Sequence, residues 1–133
     1  MSRKTTSLSA HELAVMNTFW EAERPLSKSE VIELSPNRSW KDSTIHLLLN
    51  SLLDKGYIKV DGMVKATKHY ARTFSPTMTA NEFLVNQITQ SGLLNKQTGA
   101  SFSGVISGLI ENADNKDELI VELVKLIDEK SRQ

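Results

Sequence analysis

The chain has 133 residues, 39% of them hydrophobic and 24% charged, with sixteen basic against sixteen acidic side chains and no cysteine. That composition describes a globular chain and excludes disulfides, thiolate metal centres and cysteine nucleophiles. No apolar run approaches the roughly 20 residues of a bilayer crossing, and Met1 to Thr6 lacks the apolar core of a secretory signal. A cytoplasmic protein with no membrane segment is expected. The neutral sum hides an uneven distribution. Between Arg38 and Arg72 seven basic residues face three acidic ones, whereas between Glu111 and Lys130 seven acidic residues face three basic ones. The middle of the chain can meet a polyanion and the tail cannot.

In chain order, Ser9 with Glu12 has the spacing of a capping box and opens a first helix, with Leu13, Met16 and Trp20 on one face. Ser27 with Glu30 opens a short second helix that stops at Ser35-Pro36. A third begins near Asp42, carries an inward stripe of Ile45, Leu48, Leu49, Leu52 and Leu53, and ends at Gly56. Beyond Gly56 the period shortens. Tyr57 to Val60 reads as a strand, Asp61-Gly62 as a turn pair, and His69 to Phe74 as a second strand. The spacer from Asp61 to Lys68 is expected to project as a wing.

Thr79 with Glu82 opens a fourth helix, residues 95–99 form a polar loop, and Phe102, Val105, Ile106, Leu109 and Ile110 lie at helical spacing. Asn115 with Glu118 opens the last helix, which carries Leu119, Leu123 and Ile127. Three short helices cannot enclose a core alone, so a second copy of the chain is expected to cover them. The reading is a mainly α (α+β) protein. Residues 1–77 form a winged helix-turn-helix domain, and residues 78–133 a helical dimerisation arm using Phe83, Phe102, Val105, Ile106, Leu109, Leu119, Leu123 and Ile127.

In a helix-turn-helix the third helix lies in the major groove of double-stranded DNA. With the leucine stripe inward, Ser43, Thr44, His46, Leu47 and Asn50 are the candidate base contacts, Asn50 having the geometry for adenine and Leu47 for a thymine methyl. Lys41, Ser51, Lys55, Lys65, Lys68 and Arg72 are the candidate phosphate contacts, which fix register without reading sequence. The two tryptophans, Trp20 and Trp40, are read as packing residues. His11, His46 and His69 lack metal-ligand spacing, no cofactor motif is present, and no general acid-base pair, nucleophile triad or phosphate-cradling glycine loop points to an enzyme.

Two segments carry a resemblance. Leu8 to Trp20 matches an "E-x-x-V-M-x-x-x-W" pattern, and Trp40, Thr44, Leu48, Leu49, Leu52, Lys55, Gly56 and Ile58 match a "W-x-x-x-T-x-x-x-L-L-x-x-L-x-x-K-G-x-I" pattern, in the same order and separation. Both are similar to the penicillinase repressor (BlaI/MecI/CopY-type) family, and the likeness extends over almost the whole chain. The resemblance implies a dimeric winged-helix repressor bound to a pseudo-palindromic operator and released by a sensor or inducer that the residues do not identify. The chain departs from that pattern in three places. Ser43, His46, Leu47 and Ser51 stand where basic residues are usual; the arm near Ser107-Gly108-Leu109 has no Asn-Phe bond; and the copper relatives' cysteine hook is missing. The scarcity of basic residues on the third helix leaves a second reading open, a winged-helix module that binds protein rather than DNA. A third is a repressor released by a small ligand in the arm.

Overall fold

Polar caps and turn residues set most element boundaries of the chain, whose computed structural model describes residues 7–94 and 100–133. The expected loop at 95–99 lies outside the described residues. In order come α1 (Ala10–Ala22), β1 (Leu26–Ser27), α2 (Lys28–Glu33), a 3-10 turn (Asp42–Thr44), α3 (Ile45–Lys55), β2 (Ile58–Lys65), β3 (Tyr70–Pro76), α4 (Ala80–Ser91), α5 (Phe102–Glu111) and α6 (Lys116–Ser131). At the starts of α1, α2 and α4 the reciprocal capping box is complete. The hydroxyls of Ser9, Ser27 and Thr79 accept from the amides of Glu12, Glu30 and Glu82, whose carboxylates accept from the cap amides in return. Each box satisfies two amides that have no partner inside the helix. The expected fourth box is absent, since the Asn115 side chain makes no capping bond at α6. The 3-10 turn also delays α3 by three residues relative to the expected start near Asp42.

The sheet is antiparallel with order β1-β3-β2. A hairpin of two strands was the expectation; the third strand is only Leu26 and Ser27, paired with Phe74 and Thr73, too short to show an alternation in sequence. The Asp61-Gly62 pair does not turn the chain. β2 runs through it with a register shift between Val60 and Gly62, so Asp61 is an extra residue in a bulge and Gly62 takes φ 147°, which a side chain would resist. The reversal comes later, where the Ala66 amide donates to the His69 carbonyl at 2.6 Å.

The core of the first half forms around α3, which buries Ile45, Leu49 and Leu52 and keeps Leu48 and Leu53 half-buried against them. On α1 the buried face is Val15, Met16 and Phe19. It is rotated from the expected Leu13, Met16 and Trp20 face, because α1 packs against both α3 and β3. Leu13 is left 37% exposed. Trp40 is buried and Trp20 is half-buried, donating from Nε1 to the Met78 carbonyl at 3.0 Å.

Phe83 corrects an expectation. Assigned from sequence to a dimer contact, it is buried in the winged domain, 5.5 Å from the Trp20 ring and 5.9 Å from the Tyr57 ring. The apolar period of α4 cannot tell these two fates apart. The chain divides into two compact units at Leu84 and Val85, seven residues beyond the boundary read from sequence.

A second contact fixes α3 against α1. Glu12 is 4% exposed, and its carboxylate accepts from the Lys55 ammonium at 2.8 Å and from the Ser51 hydroxyl at 2.5 Å, besides the Ser9 amide. Lys55 also donates to the Ser7 carbonyl at 2.9 Å. Burial pushes the Glu12 pKa up, but the hydrogen bonds from Lys55, Ser51 and Ser9 outweigh it and hold the group at about 2.

Two outcomes follow from this packing. Phe83→Ala lowers stability by about 3 kcal/mol in urea titration, the loss usual for a buried phenylalanine, and leaves the oligomeric mass in sedimentation unchanged. Because the Glu12 pKa is depressed on folding, the stability it contributes is complete above its unfolded value of 4.5 and is lost as pH falls towards about 2. The loss is on the order of 3 kcal/mol. Glu12→Gln removes this acid limb from a plot of denaturation midpoint against pH, and destabilises the chain at neutral pH by stranding the Lys55 charge.

Candidate nucleic-acid interface

With Ile45, Leu49 and Leu52 turned inward, the opposite side of α3 and of the turn before it is open to solvent. Lys41, Ser43, His46, Leu47 and Asn50 are exposed there, Leu47 at 60%. Thr44 is half-buried, and its hydroxyl donates to the Lys41 carbonyl at 2.7 Å, closing the 3-10 turn. Its oxygen can still accept from a ligand, but its proton is used. Beside this face, His11, Trp40 and Leu48 join Lys41, Thr44 and Leu47 around a shallow depression of about 500 Å³.

Two of the expected phosphate contacts are placed otherwise. Ser51 and Lys55 turn towards α1 and are held by Glu12, and the Lys55 side chain is only 14% exposed. A buried carboxylate draws the nearest ammonium inward, which residue spacing along α3 does not reveal. Arg38 is likewise committed: its guanidinium donates to the carbonyls of Ser35 and Ile32, pairs with Asp42 and lies 5.2 Å over the Trp40 ring. It pins the loop between α2 and α3. The basic excess of the middle segment is therefore presented by Lys41, Lys59, Lys65, Lys68 and Arg72, all exposed.

The hairpin of β2 and β3 is the wing. Across it Met63 pairs with Arg72 and Lys65 with Tyr70, and because paired residues share a face, these four side chains stand together. Met63 is 64% and Tyr70 62% exposed, and the Arg72 guanidinium lies 5.3 Å over the Phe74 ring. Between the wing and α3 runs a groove of about 550 Å³ floored by Leu49, Ala71 and Phe74. Its walls bring together His46 and Asn50 from α3, Thr67, His69, Tyr70 and Arg72 from the wing, and Lys28 and Ser29 from α2. Sequence reasoning missed Lys28, Ser29, His69 and Tyr70 as members of this site. Only the wing's approach to α2 and α3 assembles them, and no motif records it. No carboxylate lines the groove, so its field is positive.

The described residues of the second unit lack a buried side chain. α5 and α6 pack on each other and half-bury Ile106, Leu119 and Leu123, while Phe102 (71%), Leu109 (60%), Val124 (61%) and Ile127 (65%) stay in solvent. Val105 lies at the edge of exposure, at 36%. Among the described residues no helix is long and apolar enough to cross a membrane.

Comparison with known proteins agrees with this geometry. The chain is 26% identical over 131 residues to the "uncharacterized 16.5 kDa protein in ptsI 3′ region" of Latilactobacillus sakei, covering 98% of this chain and 85% of that one. It is 25% identical over 130 residues to the methicillin resistance regulatory protein MecI of Mammaliicoccus sciuri and 24% identical to MecI of Staphylococcus aureus (strain N315), each covering 98% of this chain and all of the relative. The penicillinase repressor family model matches residues 8–129, so the two segment patterns, the winged fold and the helical arm have one explanation: the chain belongs to the penicillinase repressor family.

Proposed function

We propose that the protein is a DNA-binding transcriptional repressor that acts as a homodimer on a pseudo-palindromic operator. The observation that carries this reading is the orientation of α3. Its apolar stripe is inward, and the exposed face of Lys41, Ser43, His46, Leu47 and Asn50 is free to enter a major groove beside a cationic wing. Asn50 is the candidate adenine reader, with Ser43, Thr44 and Leu47 as further base contacts and Lys41, Lys65, Lys68 and Arg72 on phosphates. The relatives' names, methicillin resistance regulatory proteins, support a regulatory role.

A second copy of the arm is the partner best suited to the exposed face of α5 and α6. Phe102, Leu109, Val124 and Ile127 are together too much exposed apolar surface for a unit of this size to leave in water. A dimer also aligns two copies of α3 with half-sites about one helical turn apart. Exposed Leu47, beside the buried Trp40, is the feature that favours the alternative, a module that binds protein.

Gel retardation of the chain's own promoter and of random duplex separates the two readings. Retardation that weakens steeply with salt supports the repressor, and its absence for both duplexes at micromolar protein in low salt favours the protein-binding module. Lys65→Ala and Lys68→Ala are expected to weaken binding to all sequences alike, each removing one phosphate contact per protomer and so flattening the plot of log affinity against log salt by about 1.8 for the dimer, about 0.9 per contact. Asn50→Ala is expected to relax discrimination at one base position by roughly 1 to 3 kcal/mol. Equal effects from both kinds of substitution contradict these roles. For the arm, Val124→Glu combined with Ile127→Glu is expected to yield a folded monomer in analytical ultracentrifugation; a dimer that persists places the contact elsewhere.

A further inference from the structure

The groove between α3 and the wing has a property that base reading does not require. Two of the chain's three histidines, His46 on α3 and His69 at the wing turn, line it from opposite walls, and both are exposed. The other titratable groups lining it are Lys28 from α2 and Tyr70 and Arg72 from the wing, with Asn50 beside them; Asp and Glu are absent from the lining. Two fixed cations and two protonatable rings thus surround one trough, with no anion of the protein's own to satisfy them.

We propose that this groove seats a run of DNA backbone phosphates, and that His46 and His69 hold it as imidazolium, so that DNA binding takes up protons. The inference rests on the DNA-binding reading and deepens it: it makes His46 a phosphate contact and adds Lys28 and His69 to the interface. An isolated imidazole has a pKa near 6.5 and is mostly neutral above pH 7. A phosphate strand laid between the walls places anionic oxygens against both rings and favours their charged form. By linkage, a pKa raised on binding strengthens binding as pH falls and weakens it as pH rises through the bound-state value. The affinity for DNA therefore becomes a function of pH across the physiological range, without a metal, a cysteine or a cleaved bond.

The test is fluorescence anisotropy of the full chain with a short random-sequence duplex, at constant ionic strength, from about pH 8 to about pH 6. The affinity of the unmodified chain is expected to rise about tenfold across this interval, from the coupled protonation of two imidazoles. His46→Gln and His69→Gln each remove roughly half of that rise on a logarithmic scale. The double variant binds with an affinity independent of pH. His11→Gln keeps the full rise, because His11 lies outside the groove, beside Trp40 and Leu47. Circular dichroism confirms that the substitutions, all at exposed positions, leave the fold intact. A flat response of the unmodified chain, a slope that survives in the double variant, or a slope lost in His11→Gln overturns the inference while leaving DNA binding standing. Failure to bind duplex at any pH overturns the DNA-binding reading itself.

Discussion

The buried contact between Glu12 and the far end of α3 is the constraint on which the rest of the first unit depends. The bonds from Lys55, Ser51 and Ser9 outweigh the cost of burying the Glu12 carboxylate, and the contact also decides geometry. Glu12 sits three residues into α1, where its carboxylate already closes the helix cap, and the same group receives Ser51 and Lys55. The start of α1 and the last turns of α3 are thereby held at one point, which sets the rotation of α3 about its axis. Ile45, Leu49 and Leu52 then have only the core to face, and His46, Leu47 and Asn50 only solvent. A helix that rolled by one residue would bury Asn50 without a partner and break the pair with Glu12 together.

The same logic sorts the basic residues into two classes. Lys55 and Arg38 are drawn inward by a carboxylate and by carbonyl groups, and their charge is used in positioning α3 and the loop before it. Lys41, Lys59, Lys65, Lys68 and Arg72 have no such partner among the ion pairs of the described residues and stand in solvent. On the wing, the bulge at Asp61 shifts the register of β2, so that Met63 and Lys65 come to the face that carries Arg72 and Tyr70. Without the extra residue the pairing would be out of step by one, and Gly62 and Val64 would stand beside Arg72 and Tyr70 instead. A bulge that looks like a turn in sequence thus sets which β2 side chains share the wing face with Arg72, whereas the fixed cations of the groove, Lys28 and Arg72, come from α2 and β3.

The second unit follows a different rule. Its helices are amphipathic enough to form and too few to bury their apolar faces. α6 has Val124 and Ile127 in solvent three residues apart, on one side of the helix, while Leu119 and Leu123 are half-buried. Its Asp and Glu residues keep the remaining surface soluble and unfavourable to a polyanion. Membership of a repressor family and an uncovered apolar face are separate lines of support for association through this arm.

What could be read without coordinates was whatever depends on neighbours along the chain. Helix starts at Ser9, Ser27 and Thr79 follow from capping boxes, the inward stripe of α3 from a 3.6-residue period, and the family from two spaced patterns, since each is set by contacts within about one turn. Tertiary structure alone decided everything that depends on residues distant in sequence. The destination of Phe83 required Trp20 and Tyr57, more than sixty and about twenty-five residues away. The inward turn of Lys55 and Ser51 required Glu12, about forty residues away. The strand at Leu26 required β3 as a template, and the histidine-lined groove required three elements to converge. A local pattern fixes which side chains share a face, but the charge or ring that the face meets comes from another part of the chain, and that encounter has no signature in either segment by itself.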